Sequence, residues 1–232
     1  MAEKGSVQLA VSTVIFSLRA EPENDTAALW LPLVRRTRDP YKGLWALPGG
    51  PLASDEDLAA SASRTLRLTT GLRPSYLEQL YAFGDVKRSR GERVVSIVYW
   101  ALVNPTEASV AEEGENVRWF QADAVPALAF DHSAIVQYAL GRLRGKLSYS
   151  RIAHAFLGEV FTLADLREVY QAVLGRSLDP ANFRRQIEAS GALVPTGEFL
   201  TGTRHRPPRL YRYNSSIDAV QHGPSSEQGG LL

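Results

Sequence analysis

Residues 43–72 read GLWALPGGPLASDEDLAASASRTLRLTTGL. Residues 44–47 have the apolar character of a short strand, and Pro48-Gly49-Gly50 breaks it with a loop. From Asp55 to Thr70 the positions Leu58, Ala62, Leu66 and Thr69 recur every three to four residues, which predicts a helix. Gly71 stands where such a helix stops. Working outward, Val- and Ile-rich stretches predict strands over 7–18 and 28–34, the second ended by Asp39-Pro40. Three more strands are predicted over 77–83, 93–103 and 117–121. A second helix starts at Asp131, with Ile135, Tyr138, Ala139 and Leu143 on one face.

The chain then changes character. Thr162 is a candidate N-cap with Asp165 at the reciprocal position, followed by the stripe Leu163, Leu166, Tyr170 and Val173 and a stop at Gly175. Asp179-Pro180 opens another helix, cap first and proline at the first helical position, running to about Ser190 and burying Phe183 and Ile187. Two short strands, over 192–194 and 209–213, flank a basic, proline-containing loop at 201–208. Helix, turn, helix and basic hairpin is the order of a winged helix-turn-helix. The expected organisation is a mixed α/β domain over 6–145, a winged helix over 146–213, and a Ser/Gly/Gln-rich tail over 214–232 expected to be disordered.

The charge divides in the same way. Residues 1–133 carry 14 Lys/Arg against 17 Asp/Glu, whereas residues 134–213 carry 12 against 6. The net charge of +1 thus hides a basic second half suited to a polyanion. The chain has 232 residues, 44% of them hydrophobic and none of them cysteine. Thiolate catalysis, disulfides and Cys-type zinc sites are excluded, which fits a reducing cytoplasm. No apolar run approaches the roughly 18 residues of a membrane span, and residues 1–7 lack the order of a signal peptide, so a cytoplasmic protein with no membrane partner is expected.

The stretch from Gly50 to Leu72 resembles the Nudix signature: a glycine, five residues, a glutamate, seven residues, then Arg-Glu-apolar-x-Glu-Glu-x-Gly-apolar. Gly50, Glu56, Arg64, Leu66, Gly71 and Leu72 fall in register. Three glutamates of that pattern are replaced by Thr65, Leu68 and Thr69. In the family those glutamates hold divalent metals, and Mg²⁺ needs oxygen ligands that bring charge. Glu56 alone is a poor cage for the two or more ions that diphosphate cleavage usually needs. The expectation is binding without efficient hydrolysis, with no catalytic residue and no metal or cofactor required. Glu56 and Arg64 equally suit a structural ion pair.

For the ligand, Arg35, Arg36 and Arg38 follow a strand near the glycine loop, and residues 81–96 add four cations with aromatic neighbours, Phe83, Arg90 and Arg93 among them. Arginine forks suit phosphates and aromatic faces suit a base. With Trp45, Gly49, Gly50, Glu56 and Arg64, these form the candidate site for a dinucleotide or nucleoside diphosphate sugar.

Taken over about residues 6–213, the degenerate Nudix box, the Phe83-Gly84-Asp85 to Val94-Val95-Ser96 segment and the winged helix resemble the Nudix-related transcriptional regulators of NAD metabolism (NrtR type). The resemblance implies an α+β Nudix-like sandwich followed by the winged helix. It also implies a homodimeric repressor of NAD-synthesis or salvage genes, released from double-stranded DNA by ADP-ribose or a related NAD metabolite. Pro51-Leu52 departs from the aromatic–aliphatic pair commoner in the family. In the winged helix, Asn182, Arg184, Arg185 and Gln186 occupy the positions that reach base edges of a near-palindromic operator. Arg204, His205, Arg206 and Arg209 on the wing suit phosphate or minor-groove contact, and Lys146, Tyr149 and Arg151 suit backbone phosphates. Two alternatives stay open: an active ADP-ribose pyrophosphatase drawing on Glu112, Glu113 or Glu115 with an accessory dimerisation domain, and a winged helix used only for protein contacts.

Overall fold

In the computed structural model, which describes residues 6–21, 26–74, 76–89, 92–109, 113–147, 151–202 and 207–214, the longest strand is β1 (Val7–Ala20). It runs parallel to β6 (Arg93–Val103), in register from Val7 opposite Arg93 to Ser17 opposite Val103. Every residue from Val11 to Leu18 is buried, so both faces of this sheet are covered. Around the pair lie β2 (Ala27–Arg35), β3 (Trp45–Ala46) and β5 (Tyr76–Phe83), in the order β3-β2-β1-β6-β5. Two short strands attach to it: β4 (Gly49–Pro51) pairs with β1 and β7 (Val117–Gln121) with β2.

The period of two along the strands sorts the layers. Val11 and Ile15 point to α1 (Leu58–Thr70), where they meet Ala62, Leu66 and Leu72. Val14, Phe16 and Leu18, with Val98, Trp100 and Leu102 of β6, point the other way. There they meet Ile135, Val136, Ala139, Leu140, Leu143 and Leu147 of α3 (His132–Leu147), which follows the short α2 (Pro105–Ala108). This is the sandwich expected from the sequence.

The second core cluster face does not end at α3. After a turn of 3-10 helix (Arg151–Phe156) and β8 (Phe161–Thr162), α4 (Leu163–Leu174) adds Leu166, Val169 and Val173 to the same apolar cluster. Phe183 of α5 (Pro180–Ala189) and Tyr211 of β10 (Arg209–Tyr213) join it, and β9 (Leu193–Phe199) completes a sheet ordered β8-β10-β9. That is a winged helix. Among the described residues no helix is long and apolar enough to cross a membrane.

Local chemistry explains the helix limits. Asp57 caps α1 by accepting from the Ala60 N–H at 2.7 Å, so the helix begins three residues after the Asp55 that spacing predicts. Gly71 ends it at φ +74°, and Gly175 ends α4 at φ +66°. Thr162 and Asp165 form the reciprocal box at α4, and Asp179 caps α5 ahead of Pro180. Two expectations need correction. Gly49 and Gly50 are not simply loop: they form β4, because a Cβ on Gly49 would stand 2.7 Å from the Val11 carbonyl and only glycine lets the two backbones meet. Tyr138 is not core, and lies against the outer rings of Tyr81 and Phe83. The tail from residue 215 lies outside the described residues.

His132 fastens the head of α3 to the strand before the glycine turn. Its Nδ1 accepts from the Leu47 N–H at 2.9 Å, and burial pushes its pKa down from 6.5 to about 4. The unfolded chain therefore takes up a proton below about pH 6.5 that the folded protein refuses until about pH 4. Stability should fall through that window as pH drops, by on the order of 3 kcal/mol from this group. His132→Asn, which can still accept the Leu47 bond but does not titrate there, should lose that part of the slope in chemical denaturation measured from pH 7 to pH 4.

Candidate ligand pocket and nucleic-acid interface

A cavity of about 950 Å³ opens where β1, β4 and the head of α3 meet. Its base is backbone and small side chains: Ser12, Gly49, Gly50 and Thr69. Its walls carry Arg35, Arg36, Arg38 and Arg88 against Asp39 and Glu92. The arginines are not equivalent. Arg36 is pinned, donating from Nε to the Pro40 carbonyl at 2.8 Å, with its guanidinium 4.7 Å above the ring of Phe130. Arg35 donates to the Gly43 carbonyl at 3.2 Å. Arg88 is almost wholly buried and donates from Nε and Nη2 to both oxygens of Asp131, at 2.9 and 2.8 Å. Phe130 holds φ at +56° and meets Tyr41, at φ +68°, edge to face. Backbone held in this region by two aromatic residues stores strain of the kind that gathers at functional sites.

A second cavity of about 480 Å³ adjoins the first and shares Gly49, Gly50, Pro51 and Thr69 with it. It lies over the face of α1 that presents Arg64, Thr65, Leu68 and Thr69. Thr69 turns its hydroxyl onto the Thr65 carbonyl at 2.7 Å, and Leu68 is exposed. Glu56 accepts both Arg64 Nε and Nη2, at 2.6 and 2.7 Å, and these hydrogen bonds hold its carboxyl below the usual carboxylate range. Among the described residues no group of three or more His, Cys, Asp or Glu is placed to hold a metal ion. Glu113 is paired with Arg19 at 2.9 Å, and Glu112 lies outside the described residues.

Of the ligand residues expected from sequence, Arg36, Arg38, Gly49 and Gly50 line the larger cavity and Arg64 the smaller. Glu56 stands beside the smaller cavity, engaged by Arg64. Trp45, Phe83 and Arg93 line neither. Trp45 packs edge to face on Phe120, Phe83 on Tyr138, and Arg93 spends its Nη2 on the Gly84 carbonyl at 2.7 Å. Arg90 lies outside the described residues. The residues missed are Arg88, Phe130 and His132. Arg88 sits in the basic stretch that sequence singles out, but nothing local marks it as the member whose partner is forty-three residues away.

In the winged helix, α5 buries Phe183 and leaves Asn182, Arg184, Arg185 and Gln186 exposed, as an outward reading face requires. Arg184 rests on Glu188 at 2.9 Å and Arg185 donates to Asn182 Oδ1 at 2.7 Å. Arg209 is exposed on β10. Lys146 is not free for a phosphate, because it is paired with Glu78 at 2.7 Å over the ring of Trp100. Tyr149, Arg204, His205 and Arg206 lie outside the described residues.

The comparisons follow this division. Residues 9–139 match the family model of the NUDIX domain, and residues 153–213 that of the NrtR DNA-binding winged helix domain. The chain is 33% identical over 210 residues to the ADPR responsive transcriptional repressor NtrR of Acinetobacter baylyi, covering 88% of this chain and 81% of that protein. The crystal structure of Shewanella oneidensis NrtR superposes with a TM-score of 0.73 at 33% identity, covering 89% of this chain and 94% of the other. The same protein complexed with a 27mer DNA gives a TM-score of 0.71 at 32% identity, over 89% and 93%. A Nudix sandwich and an NrtR-type winged helix in one chain, with these relatives along most of its length, place the protein in the NrtR family of Nudix-related transcriptional regulators.

Proposed function

We propose that this protein is a DNA-binding repressor of NAD-synthesis or salvage genes, and that ADP-ribose or a related NAD metabolite bound in its Nudix domain releases it from its operator. The observation that carries this is the pairing, in one chain, of an arginine-walled cavity beside a carboxylate-poor Nudix helix with an exposed reading helix. The effector domain spans 6–145, the DNA-binding domain 146–213, and 214–232 is a tail. The protein acts in the cytoplasm as a homodimer, since one reading helix and one wing offer few base contacts and a two-fold pair meets a near-palindromic operator.

The geometry supports the effector as follows. A diphosphate fits the cations of the larger cavity, where Arg38 and Arg88 offer charged donors and Gly49 and Gly50 let backbone approach. The positions that hold metals in Nudix enzymes carry Thr65, Leu68 and Thr69, two hydroxyls and an isobutyl group, so no cation is held against the diphosphate to activate a water. The domain binds and does not hydrolyse. A gel-shift with and without ADP-ribose tests the central claim: release of the retarded duplex is expected, and an unchanged shift would refute it.

Calorimetric titration of Arg38→Ala should show ADP-ribose binding weakened by about 1.5–3 kcal/mol, as for loss of a charged hydrogen bond. The wild-type chain with Mg²⁺ or Mn²⁺ should release no AMP at rates near the order of 1 s⁻¹ typical of enzymes; turnover at such rates would instead support a pyrophosphatase. On the DNA side, Arg184→Ala or Arg185→Ala should lower specific affinity by roughly 1–3 kcal/mol and relax the preference at one base pair per half-site. Footprinting of the double variant at a level equal to wild type would put the reading surface elsewhere.

A further inference from the structure

We propose that α3 is the element through which occupancy of the pocket reaches the reading helix, with Arg88 and Asp131 at its head and Arg144 near its tail as positioning residues. This rests on the cavity being the effector site and α5 the DNA reader, and it adds the route between them.

The head of α3 is pocket wall. Phe130 and His132 line the cavity, and Asp131 between them is held by both donors of a buried arginine that also lines it. A diphosphate at that wall and the Asp131 carboxylate draw on the same guanidinium. Binding therefore changes the force on the first residues of α3. It does not merely fill a hole beside them.

The shaft cannot absorb such a change locally. Ile135, Val136, Ala139, Leu140, Leu143 and Leu147 are all but inaccessible and close-packed against β1 and β6. Packed apolar interiors shift as units because they have no slack.

The tail of α3 grips α4. Arg144 donates from Nε to the Val173 carbonyl at 2.9 Å, in the last turn of α4, where unpaired carbonyls gather partial negative charge. Its Nη2 holds both oxygens of Asp123, just beyond β7, at 2.8 Å. One guanidinium thus ties the end of α4 to α3 and to the turn after β7, beside the strand β2 on which α4 packs. The Tyr170 hydroxyl adds a bond to the Leu147 carbonyl at 3.1 Å. From α4 the path to α5 is short: Tyr170 and Phe183 meet edge to face with centroids 5.2 Å apart, and Gln171 Oε1 accepts from the Leu178 N–H in the connecting turn. Moving the end of α4 turns the reading helix.

The readout is the factor by which saturating ADP-ribose weakens DNA binding, a coupling ratio separate from either affinity. The full chain is measured with ADP-ribose by calorimetry, and by fluorescence anisotropy with a duplex that the wild-type protein has enriched from a random-sequence pool. Arg144→Met keeps the aliphatic stem and removes the guanidinium. It should bind ADP-ribose, and the duplex without ADP-ribose, within about threefold of wild type, while the coupling ratio falls at least about fivefold, from a wild-type value in the usual 5–150 range. Arg144→Lys should restore part of the ratio by keeping a cation at the end of α4. If Arg144→Met no longer binds the duplex, Asp123→Asn, which leaves the Val173 bond in place, is read by the same criterion. A variant with both affinities intact and an undiminished ratio overturns the relay. A wild-type chain that binds the duplex but ignores ADP-ribose overturns the effector reading itself.

Discussion

The parallel pairing of β1 with β6 is the constraint on which the remaining elements hang. A strand buried on both faces has to be covered twice, and here the two covers do different work. One face takes α1, the helix of the Nudix box, and so fixes the floor of the smaller cavity. The other takes α3 and, packed directly on β2, α4 of the winged helix. A one-residue slip of β1 would exchange the two sets of side chains and undo both layers together. Burial thus joins what a division into two domains by sequence would separate.

The pocket inherits its place from the same strand. Residues 10–12 of β1 carry β4 along one edge, and the absence of a Cβ at Gly49 allows that approach. The head of α3 is brought to the same spot by the Leu47–His132 hydrogen bond. The Arg88–Asp131 pair is deep enough that its desolvation is offset only by good geometry, which both of its hydrogen bonds show. Breaking it from one side would leave a buried charge, so any anion that approaches Arg88 meets a group already under competing demand.

How much of this was legible in sequence depends on how local the cause is. The caps at Thr162 and Asp179, the stops at Gly71 and Gly175, and the outward set on α5 all follow from neighbours within one turn, and the structure places each as the spacing predicts, whereas the Asp57 cap shifts the start of α1 past the Asp55 that spacing gives. The pocket was only half legible. Arg36, Arg38, Gly49 and Gly50 could be named because they flank the glycine loop. Trp45, Phe83 and Arg93 could not be ruled out, because their partners Phe120, Tyr138 and the Gly84 carbonyl are set by strand register and by which face of α3 turns outward. Phe130 and His132 are invisible for the same reason, and Arg88 is set apart from its basic stretch only by a partner forty-three residues away.

Thr65, Leu68 and Thr69 bear on how such a pocket can hold an anion at all. Three carboxylates facing a diphosphate repel it unless divalent cations lie between, so an enzyme of this fold binds substrate through its metals. Neutral residues remove that repulsion. The two threonines bring no charge in place of the carboxylates: Thr69 donates its hydroxyl to the helix backbone and Thr65 is buried. The field in the adjoining cavity is then set by its arginines, with Asp39 and Glu92 opposing them. On the proposed reading, these neutral side chains leave an anion to be held by the protein's own donors. A site of that kind, so read, reports the concentration of its ligand without depleting it, as release from DNA in step with a metabolite requires.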